Sequence, residues 1–529
     1  MRFEIKVKIV RVDINYTLLY NYTVITRCYE GFMAFTTQIF LFLFLPLTLI
    51  AYFLVYFLSK KSFLSKFLTK IRALDIVTII ISCGFYAWAC FDDVFRLLFI
   101  IVIVYLFGFI IQSKIKTKEN FLEDKDLQSN EVSSKGALKW LIFGVAIVVF
   151  FLIYYNYTGL IAQIWNFIFK DTLQGKSLIA PLGLSFIVFS SISYLVDVYR
   201  GDADAKSFID CALYITFFPK VISGPIVLWK DFSSQITSRE VSVSNCSAGI
   251  LRVMIGFAKK IILADSFGAI IASAGTLIDV PTAWGTGLLY MLQIYFDFSG
   301  YSDIAIGLAL MMGFSFKENF NFPYLSCSIT EFWRRWHISL GTWFKQYVYI
   351  PLGGNRKGKN RTLINIAVVF LLTGIWHGAY WTYILWGVIN GVCNCIEKLL
   401  SDNKIYQKTP KIIKWLITFV IVFFCWQIFR FTSVSALINF VLTMFGIRTY
   451  TDIPYTYQYY FDLRAVVFAV IGLLSSTVFG LPKVQSLYQK LIKTKTGYVI
   501  NALVITILFV LAITFMVNSK YSPFIYFQY

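Results

Sequence analysis

Long apolar runs alternate with short polar stretches along most of the chain. Runs of roughly 17 to 25 apolar residues are long enough to cross a bilayer core of about 30 Å as a helix. After a first run that begins near 41, such runs lie at about 75 to 91, 93 to 112, 137 to 155, 178 to 198 and 248 to 275. The pattern predicts an all-α, polytopic integral membrane protein with roughly eleven to thirteen transmembrane or re-entrant helices.

Composition and charge narrow the class further. Hydrophobic residues make up 58% of the chain, charged residues make up only 14%, and the mean hydropathy is +0.70. A formal charge of +20 suits nucleic-acid binding, but the basic residues lie in short loops between apolar runs and not on a separate domain. Loops rich in Lys and Arg mark the cytoplasmic side, so we expect the first span to end inside, at Lys60 and Lys61.

The nine cysteines form neither a metal-binding nor a disulfide pattern. They are scattered through or beside the apolar runs, and the closest pair is Cys393 and Cys395. We interpret them as small buried hydrophobic residues and predict no metal site.

Residues 1–32 differ from the rest of the chain because they are mixed polar and basic and contain no apolar span. They are interpreted either as an N-terminal extension or as the product of a misassigned start, with Met33 as the first residue. The membrane domain is then expected at 33–529, with its catalytic core at about 180–400.

Two stretches place polar or backbone-breaking residues at membrane depth. Two prolines and a glycine interrupt the apolar run at Phe217–Pro225, which indicates either a cavity wall or an interfacial loop between ordinary helices. A later run contains Asp297, Ser299 and Asp303, whose burial is costly unless they bond one another or face water. We predict that these three residues line a cavity, and a polar structural network is the alternative.

The only two histidines of the chain lie in one neighbourhood. Ser328 and Glu331 match a capping box, and the aromatic residues that follow share one helical face. This pattern predicts an amphipathic helix in the membrane interface that carries His337 and ends at Pro351. His377 lies in the next apolar run. Imidazole exchanges protons near neutral pH, so the pair suggests proton-transfer chemistry. The alternatives are a snorkelling surface histidine at the first position and a neutral core histidine at the second.

Three motifs surround the histidines: Ile329–Leu340 reads ITEFWRRWHISL, Tyr349–Asn355 reads YIPLGGN, and Gly374–Gly378 reads GIWHG. They resemble the membrane-bound O-acyltransferase family, and within it the branch of the membrane subunit of bacterial alginate O-acetyltransferase. The resemblance extends over nearly the whole chain from Met33. Family members that transfer D-alanine to teichoic acid typically lack a segment like YIPLGGN, which favours the acetyl-transferring branch.

The resemblance implies an all-helical enzyme with both histidines at a central tunnel, whose walls would include Trp333, Trp336 and Trp376. We expect His377 to act as the general base, with His337 as its partner, in the transfer of an acetyl or other short acyl group to a sugar hydroxyl. Acetyl-CoA is the expected cytoplasmic donor substrate, and no resident cofactor is expected.

Donor binding and location follow from the same resemblance. Arg334, Arg335 and Lys345 are candidates for contacting the donor's phosphates, although positive-inside topology alone also accounts for them. The resemblance implies a place in the bacterial inner (cytoplasmic) membrane. It also implies a separate periplasmic or extracellular acetyltransferase as the partner that completes O-acetylation of an exported polysaccharide.

Two other classes stay open on the residues alone. A transporter or flippase for polysaccharide precursors would be favoured by inverted repeats with paired broken helices, and no convincing repeat links the two halves of the sequence. A b-type haem protein would use the two histidines as axial ligands.

Overall fold

The computed structural model describes residues 33–61, 65–115, 135–173, 178, 180–205 and 207–518. Within these ranges the secondary structure consists of helices and contains no strand, which confirms the predicted all-α fold. Six helices in the described part of the chain are long and apolar enough to cross a membrane: Phe40–Lys60, Phe91–Lys114, Gly136–Asn156, Lys411–Arg430, Leu463–Gly480 and Lys495–Asn518. The expected extension at 1–32 lies outside the described residues, so its interpretation stays a prediction.

The first part of the chain forms a bundle around a buried apolar cluster. Its helices are α1 (Leu45–Lys61), α2 (Ser65–Lys70), α3 (Ala73–Ala89), α4 (Phe91–Lys114), α5 (Lys135–Asn156), α6 (Thr158–Phe169), α7 (Leu184–Arg200), α8 (Phe208–Thr216), α9 (Phe218–Val221) and α10 (Trp229–Ile236). Local sequence sets several of their ends. For example, Ser207 Oγ accepts a hydrogen bond from Asp210 N at the start of α8, and Gly201 ends α7 with φ of 73°.

The second part of the chain holds both histidines. Its helices are α11 (Val243–Phe257), α12 (Asp265–Ala274), α13 (Val280–Met311), α14 (Ile329–Arg335), α15 (Ile338–Phe344), α16 (Lys359–His377), α17 (Trp381–Leu400), α18 (Lys404–Lys408), α19 (Lys411–Arg430), α20 (Val434–Met444), α21 (Tyr457–Tyr460), α22 (Leu463–Ser476), α23 (Pro482–Lys493) and α24 (Lys495–Asn518). Three π-helical segments, Phe40–Phe44, Ala258–Ala264 and Lys345–Tyr349, continue neighbouring α-helices, and short 3₁₀ turns lie at Pro323–Leu325 and Val478–Gly480.

Charge distinguishes the two ends of the spanning helices. α1 ends at Lys61, α4 ends at Lys114 and α24 begins at Lys495. At the opposite end of α4, the first turn carries Asp92. Under the positive-inside rule, such lysine-bearing ends are the ones expected on the cytoplasmic side.

The longest helix, α13, is the centre of the second part of the chain. It has 32 residues, and most of them are buried. It packs against α11, α12, α19, α20 and α22, and it also contacts α9. Residues of α13 therefore reach both the first bundle and the region of the histidines.

α11 and α13 approach so closely that only glycine fits at their crossing. A Cβ atom on Gly256 would lie 2.5 Å from the carbonyl oxygen of Gly300, and one on Gly249 would lie 2.6 Å from that of Gly307. Small residues permit this close approach. Inside a bilayer, helices associate through such close packing, because burying apolar side chains gives little gain in lipid.

Replacing Gly256 with Ala should therefore destabilise the protein. The new Cβ atom would also lie 2.7 Å from Ile304 Cγ1, so the two helices must separate, at a cost of about 1–3 kcal/mol. We expect a lower apparent Tm in a thermal-unfolding scan of the detergent-purified protein. Gly84→Ala in α3 is the matched control, because no atom lies within 4 Å of its added Cβ. Equal Tm values for the two variants would contradict the tight crossing.

Candidate active site

His337 lies at a break between two short helices. α14 ends at Arg335, α15 begins at Ile338, and His337 between them has a left-handed backbone with φ of 45°. The preceding segment pairs the backbone groups freed at the break. Asn321 N donates to Arg335 O at 2.9 Å, and Ile338 N donates to Asn319 O at 2.9 Å. The predicted continuous interfacial helix is therefore wrong. A non-glycine residue at positive φ is strained, and such strain is concentrated at functional sites.

Asn319 fixes the proton on the ring of His337. Its Oδ1 accepts from the backbone N–H of Ser339 at 3.2 Å, and this group can only donate, so the contacted atom must be the amide oxygen. His337 Nδ1 lies 3.1 Å from the same oxygen and therefore carries a proton. Asn319 is held in turn, because its Nδ2 donates to Ser302 Oγ at 3.1 Å. In the neutral imidazole the lone pair is then on Nε2.

The lone-pair nitrogen of His337 is buried and available. His337 is only 2% exposed, so the interpretation as a snorkelling surface histidine is wrong. Its Nε2 has no hydrogen-bond partner among the described residues. The ring packs edge-on against Phe298, with centroids 4.6 Å apart, and Trp376 packs against both this ring and that of His377. A buried base without a protein partner is suited to take a proton from a bound substrate.

His377 is the last residue of α16 and lies among aromatic rings. Its imidazole is 4.6 Å from the ring of Trp376, 5.1 Å from that of Trp386 and 4.9 Å from that of Phe429, measured between centroids. α16 reaches this position by packing on α17 through glycine, since a Cβ on Gly374 would lie 2.5 Å from Tyr383 O. His377 is 7% exposed.

The interrupted segment Phe217–Pro225 forms a buried wall next to the histidine network. α8 ends at Thr216, the short α9 follows, and the chain through Leu228 is buried throughout. Just beyond the segment, Ile226 N donates to Ser339 Oγ at 2.9 Å, which joins this wall to the residues that hold Asn319. The broken segment is therefore buried inside the protein, and the choice between a cavity wall and an interfacial loop stays a prediction.

The three polar residues predicted on α13 separate into two settings. Ser299 and Asp303 line a cavity of about 910 Å³, which also contacts Asn319 and Ile338 beside the histidine. Asp303 is not free there, because Lys259 Nζ lies 2.6 Å from one of its oxygens, and Arg252 pairs with the other.

Asp297 belongs instead to a buried ion-pair cluster. Lys260 Nζ lies 2.8 Å from Asp297 Oδ1 and also pairs with Asp265. Both Lys260 and Asp297 are nearly inaccessible, with side-chain exposures of 2% each. The alternative of a polar structural network therefore describes Asp297, while cavity lining describes Ser299 and Asp303.

The three tryptophans predicted at a tunnel all pack near the histidines. Trp333 donates through Nε1 to Asn390 Oδ1 at 3.2 Å, and Trp336 lies 4.6 Å from the ring of Trp426. Trp376 packs near both histidines, 6.4 Å from the ring of His337 and 4.6 Å from that of His377, measured between centroids.

The basic candidates for donor binding lie at the exposed surface of this region. The predicted capping box begins α14, since Ser328 Oγ accepts from Glu331 N at 3.0 Å. Arg335 pairs with Glu331 at 2.7 Å, so its charge is already compensated. Arg334 and Lys345 are exposed and form no salt bridge with the described residues.

These features define a class: a multi-pass membrane protein of helices that encloses two histidines, one with its ring nitrogen poised as a base. The sequence profile of the family described as "MBOAT, membrane-bound O-acyltransferase family" matches residues 26–438. The chain belongs to this family and is a membrane O-acyltransferase. The transporter and haem interpretations are thereby set aside.

Individual relatives cover most of the chain. It is 37% identical over 519 residues to the probable alginate O-acetylase AlgI of Pseudomonas putida, covering 94% of this chain and 100% of the relative. Identity to the AlgI of Azotobacter vinelandii is 34% over 530 residues, again covering 94% and 100%. Identity to the peptidoglycan O-acetyltransferase of Helicobacter pylori is 31% over 450 residues, covering 79% of this chain and 80% of the relative.

Sequence reasoning missed Asn319, which is the residue that orients His337. It lies in the polar segment Lys317–Phe322 between α13 and α14 and is 1% exposed. No spacing connects it to the histidine, because the contact depends on the helix break at His337. The only sequence feature that pointed to Asn319 was its place next to a long apolar helix. Asparagine is common at such positions in ordinary loops, so this feature is not specific.

Asn319→Ala should lower the rate of acyl transfer by about 10- to 100-fold, by analogy with groups that orient a reactive histidine. The variant frees Nδ1 and allows the proton to move to Nε2, which removes the base. We expect kcat to fall more than KM in an assay of the purified enzyme. Asn394→Ala is the matched control, since Asn394 is also buried but bonds to Asn390 O one turn earlier in α17 and to Thr330 of α14, and not to a histidine. A full rate in Asn319→Ala would contradict the orienting role.

Proposed function

We propose that this protein moves an acetyl group from a cytoplasmic thioester across the bacterial cytoplasmic membrane for the O-acetylation of an exported polysaccharide. The observation that carries the proposal is the buried Nε2 of His337, which is unpartnered among the described residues while Asn319 holds the Nδ1 proton. The names of the relatives support acetyl as the transferred group, since they are O-acetylases of alginate and of peptidoglycan.

The reaction follows from the state of the imidazole. Nε2 of His337 removes the proton of an acceptor hydroxyl as the hydroxyl oxygen attacks the thioester carbonyl carbon. A carbon–oxygen bond forms and the carbon–sulfur bond breaks. The proton on Nε2 then passes to the departing thiolate, so the imidazole ends neutral and no net proton is consumed.

This assignment of the base differs from our expectation from sequence, which gave that role to His377. The hydrogen bonds favour His337, because its tautomer is fixed and its lone pair is buried without a protein partner. His377 acts with it, since both imidazoles pack against the ring of Trp376. Its surroundings of indole and phenyl rings suit it to hold the acyl end of the donor in place.

Acetyl-CoA is the proposed donor. Arg334 and Lys345 are exposed, uncompensated within the described structure and close in sequence to His337, so they suit the phosphates of a nucleotide-bearing thioester. The contribution of Arg335 is smaller, because Glu331 already pairs with it.

The acceptor side requires a partner in this proposal. A separate extracytoplasmic acetyltransferase would take the acetyl group at the outer face and complete the modification of the polysaccharide. An alginate-type polymer is the proposed acceptor class, on the strength of the AlgI relatives.

The first test is the acetyl content of the exported polysaccharide in a deletion strain complemented with wild type, His337→Ala or His377→Ala. NMR of base-labile acetyl groups measures the product, and immunoblotting of membranes matches expression. We expect His337→Ala to lower acetylation by about 10² to 10⁴, the usual contribution of a general base. A strain that keeps its acetyl groups without this gene would contradict the proposed function. Full acetylation in His337→Ala would contradict only the choice of base.

A second test addresses the donor. Arg334→Gln combined with Lys345→Gln should raise the KM for acetyl-CoA several-fold with little change in kcat, because both charges act on binding and not on the reacting atoms. Lys317→Gln is the control, as an exposed lysine that pairs with Asp231. If Arg334 and Lys345 only help to set the orientation of the protein in the membrane, the KM of the double variant will equal that of the wild type.

A further inference from the structure

Several indole N–H groups around the histidines lack an acceptor. Nε1 of Trp376, Trp386 and Trp426 is buried and has no hydrogen-bond partner among the described residues. A buried donor without an acceptor costs free energy, so native proteins keep such groups where a ligand or function compensates for them. The region therefore has donors in excess, next to one vacant acceptor at His337 Nε2.

Trp376 is the indole placed to meet the reacting atoms. Its ring is 6.4 Å from the imidazole of His337 and 4.6 Å from that of His377, measured between centroids. The indole therefore packs beside both imidazoles, and its unpartnered Nε1–H lies in the same buried region as the unpartnered Nε2 of His337. Trp386 contacts the imidazole of His377, at 5.1 Å.

Packing holds the Trp376 ring in this position without using its N–H. The ring lies 5.1 Å from Phe189 and 6.2 Å from Phe186, both on α7. Gly378, two residues further on, ends α16 with φ of 156° and packs closely against the ring of Tyr383. Packing therefore holds the indole ring of Trp376 in place, while its Nε1–H has no acceptor among the described residues.

We infer that Trp376 is a further catalytic residue, whose Nε1–H donates to the carbonyl oxygen of the acyl donor and stabilises the negative charge on that oxygen when the hydroxyl attacks. The inference rests on the proposed acetyl transfer. In the tetrahedral intermediate the carbonyl oxygen gains the electron pair of the C=O π bond, while His337 Nε2 holds the hydroxyl proton. When the C–S bond breaks, the pair returns to the carbonyl and the proton goes to the thiolate. A preorganised donor in a site without water acts most strongly on this charge.

Trp376→Phe tests the inference, because it keeps an aromatic ring and removes only the N–H and part of the indole. We expect kcat to fall by about 100- to 1000-fold, the usual effect of losing one oxyanion donor. KM for acetyl-CoA should change little, and Tm should not fall by more than in the control, since no protein hydrogen bond is lost.

Trp343→Phe is the matched control. Trp343 packs on the same Phe189, at 4.3 Å, but its Nε1 donates to Phe189 O at 3.0 Å. Losing this bond should lower Tm while leaving kcat of the folded enzyme near the wild-type value. The two substitutions should therefore have opposite effects: Trp376→Phe lowers kcat, and Trp343→Phe lowers Tm.

The outcomes separate the inference from the proposed function. If the wild type transfers no acetyl group from acetyl-CoA, the proposed function and the inference are both wrong. If the wild type is active and Trp376→Phe keeps more than half of its kcat, only the inference is wrong. Equal losses of rate in Trp376→Phe and Trp343→Phe would show that the indole acts through packing, which also overturns it.

Discussion

At the crossing of α11 and α13, backbone meets backbone through two pairs of glycines, Gly249 with Gly307 and Gly256 with Gly300. Lipid offers no net gain from burying apolar side chains, so this close contact supplies much of what holds the helices together. It also fixes the register of α13. Because α13 carries Ser302, the crossing sets where Asn319 is held, and Asn319 sets the proton on His337. The glycine crossing is thus linked to the position of the His337 ring by successive contacts through Ser302 and Asn319.

Buried charge on α11 to α13 is paired within the protein. Lys260 is paired with Asp297, and Asp303 is paired with Lys259 and Arg252. Around the histidines, the lone pair on Nε2 of His337 and the Nε1–H groups of three indoles have no hydrogen-bond partner among the described residues. Substrate groups can meet these atoms without first displacing a protein partner, which favours fast transfer.

Much of the fold was predictable, because the length and spacing of apolar runs indicate which helices are surrounded by lipid. The runs predicted the all-helical membrane fold, and the capping pair at Ser328 and Glu331 predicted the start of α14. The site was less predictable. Periodicity around His337 suggested one continuous helix, since side chains spaced at helical intervals can continue the pattern while the backbone breaks between them. The break is stabilised by pairing with 319–321, a tertiary contact that no local propensity encodes. The Trp-His motif indicated proton transfer, but not which histidine has the fixed tautomer.

The fixed tautomer has a consequence for transfer through a membrane. In the proposed reaction the hydroxyl loses a proton and the thiolate gains one, and moving a free charge through the protein interior would be costly. A single nitrogen that takes the proton and returns it keeps every intermediate charge within one site. The Nδ1 proton, held by Asn319, prevents the ring from losing its proton on the other side. An imidazole with two free nitrogens would lack this restriction, so the asparagine makes His337 a reversible carrier with one active position.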